Sequence, residues 1–144
     1  MPQGQPNLPG VLDFDTTTVA VTASPGLDPI NIVQVGEPFA VALNFQGSGF
    51  VWNWLKPPFT PGGAPYQIQY FAESVGPGSN NVLLGVRAGN LTAANAYGPA
   101  ATQLNIAVNP LAQGIYQISC LVRFPNNPGL TGYAVMADYL EVYA

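Results

Sequence analysis

The chain has 144 residues, 48% of them hydrophobic and only 7% charged, with a net charge of −4 at pH 7. That length fits one domain able to bury a sizeable core, and ordinary hydrophobicity at such low charge excludes a disordered chain. Three cations, Lys56, Arg87 and Arg123, cannot make the phosphate-neutralising patch that nucleic acid requires, and no apolar run reaches the ~20 residues of a bilayer span.

Typical soluble domains carry about 25% charged residues. The surface here must instead be built from Asn, Gln, Ser, Thr, Gly and Pro. No basic, apolar leader opens the chain, so no signal peptide is expected. The setting this composition leans toward is an extracellular surface or a particle.

Residues 1–12, MPQGQPNLPGVL, hold three prolines, two glycines and no charge, and read as an extended N-terminal arm. The remainder, 13–144, reads as one domain of short strands. TTTVAVTAS (16–24) and INIVQV (30–35) are β-rich runs. PFAVALNFQ (38–46) alternates, with Phe39, Val41, Leu43 and Phe45 on one face. FVWNWL (50–55) reads as a further short strand, with Phe50, Trp52 and Trp54 on one side. YQIQYFAESV (66–75) sets Tyr66, Ile68, Tyr70 and Ala72 against Gln67, Gln69, Phe71 and Glu73.

VLLGVR (82–87) follows a turn at GPGSNN. LTAANAYG (91–98) is the one helical candidate, good for a single turn. TQLNIAV (102–108) puts Leu104, Ile106 and Val108 together. IYQISCLVRF (115–124) puts Tyr116, Ile118, Cys120, Val122 and Phe124 together, which makes the lone Cys120 a buried, inert residue. GYAVMADYLEVYA (132–144) ends the chain with a strand broken near Asp138, and its last residues, LEVYA, read as a free sheet edge.

Runs of this length with turn signals every ~8–12 residues predict a single all-β antiparallel sandwich, with a jelly roll as the rival topology. Two segments resemble bacterial immunoglobulin-like β-sandwich domains. VGEPFAVALNF (35–45) is similar to the turn and B strand of such domains. LAQGIYQISCLVRF (111–124) is similar to their E–F corner and F strand. The resemblance implies an immunoglobulin-like fold, and it implies that Tyr116 bonds back to the chain upstream. Cys120 departs from the pattern, because no second cysteine exists to form an inter-sheet disulfide.

The chain has no histidine, which removes the commonest general base and metal ligand. No Ser-His-Asp or Cys-His nucleophile can be built. Seven carboxylates are present, of which Glu73 and Glu141 sit on strands. Each reads as a solvated group that Arg123 could pair. Asp13 and Asp15 in LDFDTTT are weak calcium candidates, with Asp28 or Glu37 needed to complete a site. No cofactor is expected, and the chain reads as non-catalytic.

Residues 47–66, GSGFVWNWLKPPFTPGGAPY, hold both tryptophans, four prolines and one charge. Part of this stretch is core, with Trp52 expected between the sheets. Phe59 lies in a proline-stiffened loop with no regular element behind it. Phe50, Trp52, Trp54, Phe59, Tyr66 and Tyr70 are therefore the candidate contact residues. The expected role is a structural subunit that self-associates through this loop, the N-terminal arm and sheet edges short of charged gatekeepers. The alternative is an accessory module that binds another protein or a glycan through the Trp/Tyr surface.

Overall fold

The computed structural model describes residues 12–23, 32–75 and 81–143. Residues 1–11 of the expected arm, Asp28 and most of the GPGSNN turn lie outside them. In chain order the strands are β1 (Asp13–Thr16), β2 (Ala20–Ala23), β3 (Ile32–Gln34), β4 (Phe39–Ala42) and β5 (Phe45–Ser48). Helix α1 (Phe50–Leu55) follows, then β6 (Pro65–Ser74), β7 (Asn81–Asn90) and β8 (Ala96–Tyr97). The second helical turn is α2 (Pro99–Thr102), followed by β9 (Leu104–Ile106), β10 (Gly114–Arg123), β11 (Thr131–Val135) and β12 (Leu140–Tyr143).

These strands form an all-β sandwich of the immunoglobulin-like class. One layer is a large sheet in the order β3-β12-β10-β6-β7, with β11 also on β10. Its spine is the pair β6–β10, antiparallel and in register from Tyr116↔Ser74 to Arg123↔Gln67. Each spine strand has ten residues. The alternation read from the sequence is obeyed: Tyr66, Ile68, Tyr70 and Ala72 face Ile118, Cys120 and Val122 in the core.

The other layer is two short sheets end to end, β1-β5-β8 and β2-β4-β9. The long runs at 16–24 and 38–46 each bend, which is why two predicted strands become four. At the bend hydroxyls complete what the backbone bonds leave over. Thr17 N–H donates to Asn44 C=O at 2.8 Å, and Asn44 N–H donates to Thr17 Oγ1 at 2.9 Å. The buried Thr102 hydroxyl accepts from Leu43 N–H and donates to Leu43 C=O. Buried backbone groups without partners are costly, so these clips let the layer kink without stranding them.

The core lies between the layers and is rich in rings. Phe45 stacks on Tyr97 with centroids 4.8 Å apart, and Phe14 meets Phe124 edge-on at 5.8 Å. Such pairs contribute ~0.5–1.5 kcal/mol each beyond their buried area. Burial pushes the Cys120 thiol up to about 12, so it stays protonated and inert at neutral pH. Tyr116 Oη donates to Ala112 C=O at 2.8 Å, the upstream bond that the resemblance implied.

Several expectations are corrected. Residues 91–98 form no helix. Leu91 is buried and gives its N–H to Ala64 C=O, and the Tyr97 hydroxyl takes up Thr92 N–H and Ala94 C=O. The helical turn comes next, at α2, where Pro99 supplies the pre-set first position. The TQLNIAV run stops at Ile106 and leaves Val108 exposed. It stops because the buried Asn109 side chain turns the chain, accepting from Leu111 N–H and donating to Gln34 C=O.

The expected free edge at LEVYA is not found over Leu140–Tyr143, since β12 pairs with β10 on one side and in parallel with β3 on the other. Leu12 belongs to the core and not to an arm. Arg123 pairs with neither strand carboxylate. It lies opposite Gln67 and Thr131, while Glu73 lies opposite Gln117 and Glu141 opposite Ile115.

Candidate functional site

The stretch 47–66 is not a strand at its centre. Gly49, with φ +96°, turns the chain out of β5, and its carbonyl accepts from Asn53 N–H at 3.1 Å to start α1. The helix stops at Lys56 because the residue before a proline is pushed to extended backbone, and Lys56 has φ −92° and ψ 159°. Helical spacing then regroups the aromatics. Phe50 and Trp54, four apart, share one face, and their rings meet at 5.5 Å. Trp52, two residues from each, points the other way into the core.

Trp52 is fully buried. Its indole packs edge-on to Phe124 at 6.0 Å and tilted against Phe14 at 5.9 Å. Gly47 lies directly beneath the ring, where any side chain would occupy the indole's place. The indole N–H finds no hydrogen-bond partner among the described residues. Tryptophan is thus chosen here for volume, not for its polar handle.

Residues 56–63 are held to α1 and to the neighbouring loop by hydrogen bonds. Lys56 Nζ donates to Asn95 Oδ1 at 2.6 Å and Ala93 C=O at 3.4 Å. Thr60 Oγ1 donates to Trp54 C=O at 2.6 Å, and Ala64 N–H to Leu55 C=O at 2.8 Å. Gly63, at φ +79°, passes so close to the Leu91 backbone that no other residue fits. The result is a hydrogen-bonded platform that leaves Phe50 51%, Trp54 54% and Phe59 70% exposed.

Three of the six candidate contact residues are therefore surface groups. The other three are corrected to core. Trp52 fills the space under α1. Tyr66 and Tyr70 lie on the inner face of β6, where their hydroxyls donate to Ala101 C=O at 2.9 Å and Thr102 C=O at 2.7 Å. Burial raises both phenol pKa values. Their job is to fasten α2, and they cannot touch a ligand. Arg87 serves the same segment, donating to Ala100 and Gln103 carbonyls. The sequence reading missed this use of α2; the pairing of Tyr hydroxyls with a Pro-initiated turn has no signature in a linear pattern.

Clefts lined by described residues flank the sandwich. One, of about 420 Å³, follows the bend of the small layer and is lined by Asp15, Thr17, Asn44, Gln46 and Tyr97 among others. Its polar side chains are the Asp15 carboxylate, the amides of Asn44 and Gln46, and the hydroxyls of Thr16, Thr17 and Tyr97. Another, of about 400 Å³, lies between α1 and the loop 126–130 and is lined by Leu12, Val51, Leu55, Pro128 and Leu130 among others. Asp13 and Asp15 alternate along β1 and share its outward side, opposite Ser48 and Gln46. Among the described residues no three His, Cys, Asp or Glu side chains come together as a metal site.

No protein-family model matches the sequence. No curated protein matches it either. Solved structures do. The CARDB domain of the PF1109 protein from Pyrococcus furiosus, solved in complex with di-metal ions, has a TM-score of 0.52 at 14% identity, covering 95% of this chain and 98% of that one. A β-glucosidase from Listeria innocua in complex with gluconolactone has a TM-score of 0.45 at 10% identity, over 92% of this chain and 16% of that one. The first likeness shows the fold, an immunoglobulin-like β-sandwich.

Proposed function

We propose that this chain is a non-catalytic structural subunit that self-associates, with the α1 platform as one contact. The observation that carries this reading is the exposure of Phe50, Trp54 and Phe59 on a hydrogen-bonded unit. Rigid aromatics lose little entropy on docking and are enriched in protein contacts. A charge fraction of 7% adds support, because few like charges hold copies apart. We read the chain as a bacterial-type immunoglobulin-like domain in this role.

Light scattering coupled to size exclusion, over a hundredfold concentration range, tests it. A mass above 15.1 kDa that falls with Trp54→Ala or Phe59→Ala is expected. A monomer at every concentration overturns self-association and turns the platform toward a foreign protein or a glycan. A glycan would then quench or shift Trp54 fluorescence, the buried Trp52 being unable to report it.

A further inference from the structure

We infer that the outward face of the large sheet is a self-complementary dimer surface, covered by the same face of a second copy about a two-fold axis running across the strands. This inference rests on the reading that the chain self-associates, but it places a second and separate contact.

The face is mixed: Gln67, Gln69, Gln117 and Glu73 lie on it, but Leu83, Val86, Ile115 and Tyr133 set exposed apolar side chains among them. The register fixes its rows. Val86, Gln69, Leu121 and Tyr133 lie side by side across β7, β6, β10 and β11. The next row is Leu83, Phe71, Ser119 and Val135, with Ser119 buried between its neighbours. Exposure is 54% for Leu83, 43% for Val86, 48% for Tyr133 and 49% for Ile115. The outward face of the small layer provides the internal contrast. There the pairs of β1 with β5 are Asp13↔Ser48 and Asp15↔Gln46. The large sheet thus exposes apolar groups that the pairs of β1 with β5 do not.

The size suits a second copy. Four to five strands at ~4.8 Å spacing and about ten residues at ~3.3 Å make a plane of roughly 650–800 Å². A stable dimer of standard size buries about 800 Å² on each partner.

The charges choose the axis. Arg123 stands in the row of Gln67 and Thr131, at one end of the face. Glu73 stands in the row of Gln117, towards the other, where its carboxylate accepts from the Ser119 hydroxyl at 3.3 Å, with Glu141 one row further on beside Ile115. The two rows between them carry no charge. Six residues of β10 separate the Arg123 and Glu73 rows, about 20 Å. A two-fold axis along the strands would set Arg123 over its own copy. An axis across the strands reverses them, so each Arg123 comes over the partner's carboxylate end and β10 crosses β10 near residue 120. Sheets packed face to face keep their strands within about 30°, which leaves this pairing in reach of an arginine.

Charge reversal tests the geometry. Arg123→Glu and Glu73→Arg are each expected to weaken self-association at least tenfold, read by sedimentation or light scattering. Mixing the two variants should restore a heterodimer, since each then offers the charge the other lacks. Leu121→Asp, in the apolar centre, should abolish the contact; should it fail to fold, the exposed Leu83→Lys replaces it, with circular dichroism as the folding check. If the mixture stays dissociated, the two-fold arrangement is overturned. If the parent chain associates and every face variant leaves its mass unchanged while Phe59→Ala lowers it, the sheet face is overturned and self-association stands. A monomeric parent overturns both.

Discussion

The two layers of the sandwich solve the same problem differently. The spine of the large sheet, β6 on β10, pairs without a break from Tyr116↔Ser74 to Arg123↔Gln67, and the one irregularity is where β7 joins β6 at Tyr70/Phe71. The small layer bends, and it depends on side chains at the bend: Thr17 and Thr102 supply the missing bonds, and Trp52 over Gly47 roofs one end. The β1–β5 pair is polar outside, while the large sheet sets exposed Leu83, Val86, Ile115 and Tyr133 among its outward polar groups.

Substitutions separate the layers in order of effect. The largest should come from Trp52→Ala, which empties the site over Gly47 and is expected to cost ~3–5 kcal/mol, read by urea unfolding. Trp52→Phe should cost far less, because it also removes the unpartnered indole N–H. A result with Phe as damaging as Ala would mean that the N–H has a partner after all.

Alkaline pH should strike the large sheet next. Cys120 is held to about 12 against an ordinary 9.0, with burial as the main cause. The folded pKa is the raised one, so the stabilisation is complete below pH 9 and is lost as pH climbs from about 9 to 12. That is on the order of 4 kcal/mol at most. The melting temperature should hold through neutral pH and fall above about 9. Cys120→Val should delay the fall to the range where the buried phenols of Tyr66 and Tyr70 take over.

Thr102→Val tests the bend. It leaves Leu43 N–H and C=O without their hydroxyl, at ~1–3 kcal/mol. Amide exchange should quicken around residues 43–44 and stay slow in β6 and β10. Uniform quickening would show that the two layers open as one unit. The smallest effect on stability should be at the outward face of the large sheet: Leu121→Thr, measured under dilute monomeric conditions, is expected to stay within about 0.5 kcal/mol.

Tyr116→Phe lies between these last two, at ~1 kcal/mol for the lost bond to Ala112.

Alternation along the chain determined the strands and the inner faces. Phe39, Val41, Leu43 and Phe45 are buried as period two requires, and so are the inward residues of β6 and β10. Period two is a local property, set by a pleat that turns each side chain over from the last, so it can be read without knowing any neighbour. The break in β11–β12 was legible for the same reason.

What the tertiary structure decided is where periodicity is silent or shared. FVWNWL is equally apolar as strand or helix; Gly49 and the Lys56-Pro57 step, together with the pocket over Gly47, make it a helix and so divide its aromatics. Tyr66 and Tyr70 looked like a surface because tyrosine suits either side; the carbonyls of α2 claim their hydroxyls from inside. The rows of the large sheet, and with them the opposed ends of Arg123 and Glu73, exist only once three strands fix their register. A register is a relation between distant segments, chosen by packing the whole core at once, and no single run of residues contains it.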